Sequence, residues 1–245
     1  MQIIFSHKFG THSKSQIIYS EPELIDVKPE EHDECLNNGW LATAVNGQPK
    51  WYQSRSTRVK LDKANYSYYN EWEILDNPDR EILDRMYTRF CQHKNYTKYF
   101  EINEYLPWDT IMGYYQERKF TAYTKLRHYS KDSLESVLFV WDYKNPDTHL
   151  GLRSLEHEHC WAEAHGYKYL YLGPGYEKNS IYKCSIPGFE WWTGSYWSSD
   201  LDHYVWLCRR DSQLNAQTQG VHKLHANLQH GYNNQDPMSC NSPEL

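Results

Sequence analysis

The chain has 245 residues, enough for one large domain or two small ones with a proper core, and its net charge of −6 with pI near 6.1 excludes coating of nucleic acid by bulk electrostatics. No run approaches the ~18 apolar residues of a membrane helix, and the opening MQIIFSHKFG lacks a basic flank with an apolar stretch, so a soluble, cytoplasmic protein is expected. Six widely spaced cysteines without a C-x-x-C pair point to free thiols rather than a zinc ribbon or disulfide framework, and 22 Tyr with 10 Trp favour aromatic-lined clefts over greasy pockets.

In chain order, residues 1–75 read as a small, irregular, strand-rich N-terminal lobe: QIIF, SQIIY, GWLATAV and TRVKL are strand-like pieces separated by turns such as VNGQPK. A helix is predicted from about 77, where an Asn-Pro-Asp start leads into Ile82, Leu83, Met86, Tyr87 and Phe90 at helical spacing. A second helix is predicted in PWDTIMGYYQERK. FTAYTKLRHYS and SLESVLFVWDY, joined through a polar Lys-Asp, predict an antiparallel hairpin.

Residues 151–165 predict a helix with Leu152, Leu155, His159 and Ala162 along one side and Gly166 as its stop. YKYLYLG follows as a strand. The order strand, strand, helix, strand makes a mixed α/β core with a parallel crossover, spanning residues 76–211, and the polar segment 212–245 reads as a partly mobile tail.

Several constellations carry possible chemistry. The His and Glu residues of EHEHCWAEAH have metal-like spacings, yet a polar helix face explains them better, and no metal is expected. Cys160, Cys184 and Cys208 lack the surroundings of a nucleophile. KWYQSRSTRVK and ERKFTAYTKLRHYSK interleave cations with aromatics, a pattern that can hold phosphate while stacking bases and is more often a solvated strand face. No nucleotide-binding glycine motif is present; Gly151 and Arg153 at the helix start can accept a phosphate or carboxylate.

HLGLRSLEHEHCWAEAHGYKYLYLG resembles the signature of the aminoacyl-tRNA-protein transferases, the arginyl and leucyl transferases. Leu150-Gly151 and Leu172-Gly173 match that family's helix opening and its Tyr-x-Tyr-Leu-Gly strand end; Tyr182-Lys183, Pro187 and Glu190 follow in order, and the collinear likeness spans roughly residues 37–197. The resemblance implies an acetyltransferase-like (GNAT) mixed-sheet core, charged tRNA as co-substrate without a further cofactor, a protein, peptide or small amine as acceptor, and no membrane partner. It implies that an amine attacks the ester joining an amino acid to tRNA.

Residue by residue, the resemblance puts Gly173 at an oxyanion-binding strand end, Tyr182 and Lys183 beside it, and His149 where the family has serine, as a proton acceptor. Arg153 becomes a phosphate contact, and Tyr169, Tyr171, Leu172 and Arg58 belong to the substrate-binding set. Strand alternation is expected to send at least one of the two tyrosines into the core. The chain departs from the family in lacking its N-terminal cysteine cluster, although Arg58-Val59 is kept, and in a shorter loop carrying Pro174-Gly175. Two other readings remain: an acyl-CoA-dependent N-acyltransferase, disfavoured by the missing pyrophosphate loop, and a non-catalytic binder of a tRNA end or protein N-terminus.

Overall fold

A computed structural model describes residues 1–12, 15–61, 70–94, 104–142 and 150–213. Strands β1 (Gln2–His12), β2 (Ser15–Ile25), β3 (Trp40–Val45) and β4 (Gln48–Gln53) form a four-stranded antiparallel sheet in the order β1-β2-β4-β3, with the short helix α1 (His32–Asn37) before β3. Asn46 and Gly47 join β3 to β4 with φ of 52° and 73°, the left-handed pair that a two-residue hairpin requires.

The larger sheet has eight strands: β5 (Ser56–Lys60), β6 (Trp72–Ile74), β7 (Asp109–Gln116), β8 (Lys119–His128), β9 (Ser133–Trp141), β10 (Tyr169–Pro174), β11 (Phe189–Trp192) and β12 (Trp197–Ser198). Their order is β12-β11-β5-β10-β9-β8-β7-β6. Every neighbouring pair is antiparallel except β9 and β10. The α/β class and the strand, strand, helix, strand order expected of the core are therefore present. The N-terminal lobe differs from the expected outline, because β5 and β6 lie in the large sheet rather than with the first four strands.

Helix α2 (Arg80–Lys94) forms where predicted and buries Leu83, Met86, Tyr87 and Cys91 against Ile111, Tyr123 and Val140. The predicted second helix is instead strand β7. Residues 111–114 are buried without a break, Ile111 against α2 and Met112 and Tyr114 on the opposite cluster, so a strand covered on both faces shows no alternation to tell it from a helix. Glu117 and Arg118, with φ of 51° and 62°, turn it directly into β8.

Helix α3 (Leu150–Ala164) covers the face holding Met112, Ala122, Leu126, Leu134 and Leu170, through Leu150, Leu155, Trp161 and Ala162. Leu152, expected on that side, is exposed. Gly166, at φ 83°, ends the helix: its N–H donates to Glu163 at 2.9 Å and that of Tyr167 to Ala162 at 3.1 Å, the paired bonds that satisfy terminal carbonyls. On the other face, the small sheet lays Leu24, Leu41 and Trp51, and α1 lays Leu36, against Tyr129 and Tyr171. A further helix, α4, covers residues 201–213, where Tyr204 and Cys208 pack on Phe189 and Trp191. The expected tail lies outside the described residues from 214 onward. No helix among the described residues is long and apolar enough to cross a membrane.

Candidate active site

The parallel strands β9 and β10 pair from Ser133↔Tyr169 to Glu135↔Tyr171 and then part. Irregularities on both strands produce the opening. β10 shifts register against β5 between Tyr171 and Pro174, with Gly173 at φ 70°, and β9 shifts against β8 opposite Lys125 and Leu126. The parting strands leave a cleft of about 470 Å³, within the range of small-ligand sites. Ser136 and Leu172 line it where the strands part, with Phe139 and Trp141 of β9, the start of α3 at Leu150, and Phe90 and Lys94 of α2. Tyr182 and Lys183 line it as well, Tyr182 half exposed.

Lys183 comes from a 3₁₀ segment, Lys178–Ser185, and is buried. Its Nζ donates to the Leu172 carbonyl at 2.6 Å and to the Pro174 carbonyl at 2.8 Å. Thr57 Oγ1 donates to the intervening Gly173 carbonyl at 2.8 Å. Three successive carbonyls of the Leu-Gly-Pro turn are thus held by two side chains, which fixes the strand end in its bent course. Gly175 is required for the same reason: a Cβ there would stand 2.5 Å from Thr57 Cγ2 and from the Tyr204 hydroxyl. Burial pushes the Lys183 amine down to about 8, while Glu135 and the two carbonyl bonds favour the charged form; the amine stays an ammonium at neutral pH.

Behind the turn lies a buried polar group that the sequence did not signal. Glu135, whose carboxyl burial pushes up, accepts from the Tyr129 hydroxyl at 2.7 Å, and Tyr129 in turn accepts from the Ala42 N–H at 3.0 Å. Arg127 grips Asp109 with two bonds of 2.7 and 2.9 Å and also donates to the Ala42 carbonyl. On the α3 side, Glu158 is buried and accepts from Thr124 Oγ1 at 2.6 Å and the Tyr114 hydroxyl at 3.2 Å; burial pushes its carboxyl up to about 7.

Of the residues singled out in the sequence, Leu150, Gly151, Leu172, Tyr182 and Lys183 meet at the cleft, while Gly173 is buried at the bend behind it and faces Glu135. His149 lies outside the described residues. Arg153 lines a different, open cleft with Glu71, Tyr115 and Asp142. Arg58, Tyr169 and Tyr171 form a separate group under the small sheet. The Arg58 guanidinium is sandwiched 4.1 Å from the Tyr169 ring centroid and 4.0 Å from that of Trp197, and it pairs with Glu190 at 2.7 Å.

Tyr169 and Tyr171, two residues apart, share a face because side chains repeat every second residue along a strand; both pack with the cluster beneath the small sheet. Tyr171 is buried there, so at least one of the two enters the core as expected, though not because alternation separates them. The aromatic-basic stretches are likewise not open phosphate surfaces where they matter most, since Arg58, Lys125 and Arg127 are buried. Among the described residues, no three His, Cys, Asp or Glu side chains converge as a metal site. His157 packs its ring on Trp72 and Tyr114, and burial pushes it down to about 4.

No family model and no curated protein matches the chain in sequence. Solved structures similar to it include the C-terminal domain of a candidate lysylphosphatidylglycerol synthetase from Agrobacterium fabrum, at 13% identity and TM-score 0.38, covering 71% of this chain and 70% of that one. L-PGS from Bacillus licheniformis aligns at 12% identity and TM-score 0.39, over 59% of this chain and 49% of that one. A candidate acetyltransferase of the GNAT family from Novosphingobium aromaticivorans aligns at 14% and 0.40, over 56% and 59%. Likeness at this level assigns no activity to the chain.

Proposed function

We propose that the chain is an aminoacyl-tRNA-dependent transferase that moves an amino acid from charged tRNA to the amino group of a protein, peptide or small acceptor. The observation that carries this reading is the cleft between the parting ends of β9 and β10, with Leu172 and Tyr182-Lys183 brought to it and Gly173 at the bend behind Leu172. These are the residues on which the resemblance to the aminoacyl-tRNA-protein transferases rests.

The ester of a charged tRNA is already activated, so the protein has to bring two substrates together, take a proton and stabilise the oxyanion. Strand pairing lapses at Leu172 and Gly173; the left-handed bend at the buried Gly173 sets the course of the backbone, and Leu172 before it lines the cleft. Lys183 fixes that bend through the Leu172 and Pro174 carbonyls and places an ammonium beside the site of developing charge. Tyr182, half exposed at the cleft, offers a ring on which the terminal adenine can stack.

The test is transfer of radiolabelled amino acid from a pool of charged tRNAs to peptides with varied N-terminal residues. Label in the peptide, lost in Lys183→Met, supports the reading. Charged tRNA that binds and keeps its amino acid in the presence of every acceptor would instead indicate a binding-only protein, and thermal protection by acetyl-CoA would indicate the CoA-dependent reaction.

A further inference from the structure

Glu158 occupies a position that a neutral amide would fill at lower cost. Three strands send a hydroxyl toward its carboxyl: Tyr114 from β7, Thr124 from β8 and Ser136 from β9. Oε1 takes the bonds from Thr124 and Tyr114, at 2.6 and 3.2 Å. Oε2 is buried and has no hydrogen bond among the described residues. The Ser136 hydroxyl acts on the carboxyl, lowering its proton affinity as a hydrogen-bond donor does. Ser136 also lines the cleft between β9 and β10. A glutamine would satisfy Thr124 and Tyr114 equally well, without the several kcal/mol that a buried ionisable group can cost. What glutamate adds is the capacity to take and return a proton.

We infer that Glu158 acts through the Ser136 hydroxyl as the proton acceptor for the amine that attacks in the cleft. The inference rests on the transferase reading given above. As the nitrogen bonds to the ester carbonyl carbon, the proton it then carries in excess passes to the Ser136 oxygen, while the hydroxyl's own proton passes to Glu158 Oε2. When the bond from carbon to the ribose oxygen breaks, the leaving oxygen takes a proton back along the same path and the carboxylate is restored. Ser136 is the catalytic residue in this scheme, and Glu158 is a positioning residue that works through it.

The surroundings suit the task. Burial holds the carboxyl near 7, so that both forms are populated at neutral pH. Of the groups packed on it, Tyr114 is the titratable one on the strands, His157 beside it on α3 is kept neutral by burial, and among the described residues burial and the three hydroxyls alone set its proton affinity.

Glu158→Gln should slow transfer to a peptide amine about a hundredfold, the scale of general-base catalysis, and remove the limb of the pH profile near neutrality. Transfer to hydroxylamine, whose nitrogen sheds its proton unaided at neutral pH, should fall by much less than transfer to the peptide, since only the return of a proton to the leaving oxygen then calls on the pair, and Ser136→Ala should show the same split. Unchanged transfer to the peptide, or equal loss with both nucleophiles, would overturn the inference. Infrared difference spectra of the wild type against Glu158→Gln, taken from about pH 5 to about pH 9, supply a readout independent of transfer. A buried carboxyl band that vanishes with a midpoint near neutrality is expected, and one that does not change overturns the proton-accepting role. Absence of transfer by the wild type beside a normal infrared titration would bring down the transferase reading, and with it the acid's role in transfer, while identifying the titrating acid itself.

Discussion

Replacing Lys183 by methionine keeps most of the side chain's volume and removes its ammonium, which separates two opposed contributions. Burial holds the amine near 8 against an ordinary 10.5, and at about 1.4 kcal/mol for each tenfold change in proton affinity the buried charge costs at most about 3 kcal/mol. The bonds to the Leu172 and Pro174 carbonyls act the other way, each contributing about 1.5–3 kcal/mol as hydrogen bonds from a charged donor. At pH 7 the two nearly offset, and Lys183→Met is expected to lower stability by no more than about 3 kcal/mol while abolishing transfer. The pH dependence has a definite sign. With the folded value below the unfolded one, the unfolded chain holds more protons between about pH 8 and pH 10.5, so wild-type stability rises through that window relative to the variant. Urea unfolding of both proteins over this range reads the difference directly, because every other titrating group is common to both. The gap should widen in favour of Lys183 by up to about 3 kcal/mol, and a gap that stays constant from about pH 7 to about pH 10.5 would refute the reasoning.

Glu158→Gln has the opposite dependence. The acid's folded value, about 7, lies above its ordinary 4.5, so the wild type loses about 3 kcal/mol relative to the variant as pH rises through that window, measurable by the same unfolding series. Arg127→Met leaves Asp109 buried without its two bonds and should cost about 3–5 kcal/mol; a loss below about 1 kcal/mol in urea unfolding would show that Asp109 finds another donor. Gly173→Ala forces a Cβ into a left-handed conformation at about 1–2 kcal/mol. No backbone atom lies within 4 Å of that Cβ, so a larger loss by thermal unfolding would contradict a purely conformational origin.

The sequence disclosed features set by neighbours in the chain. Asn46-Gly47 announces its hairpin, Gly166 its helix end, and the spacing of Leu83, Met86, Tyr87 and Phe90 the face of α2. The strand β7 was hidden because both its faces are covered, which erases the alternation that distinguishes strand from helix. The buried charges were hidden for a different reason. Arg127 and Lys125 sit in a stretch that reads as a solvated basic strand, and their surroundings are set by residues far along the chain: Asp109 on β7, Ala42 on β3 and Glu104 before β7. Glu158 reads as one polar residue in a polar run, and only the hydroxyls of Tyr114 and Thr124, 44 and 34 positions away, show that it faces the sheet.

The position of the cleft follows from the one departure from antiparallel order. Because β9 and β10 run the same way, both leave their shared pairing with their carboxyl ends, and the chain leaving β9 returns as α3 beside the same opening. Crevices outside the carboxyl ends of parallel strands are where α/β sheets place ligands. Parallel pairing alone would not open one, since two regular strands would continue their ladder past Glu135 and Tyr171. The irregularities opposite Lys125 and Leu126 and at Leu172-Gly173 end it. Lys183 and Thr57, by holding the three carbonyls of the turn, keep β10 from straightening back into register, which makes the buried ammonium a structural condition of the cleft as well as a charge within it.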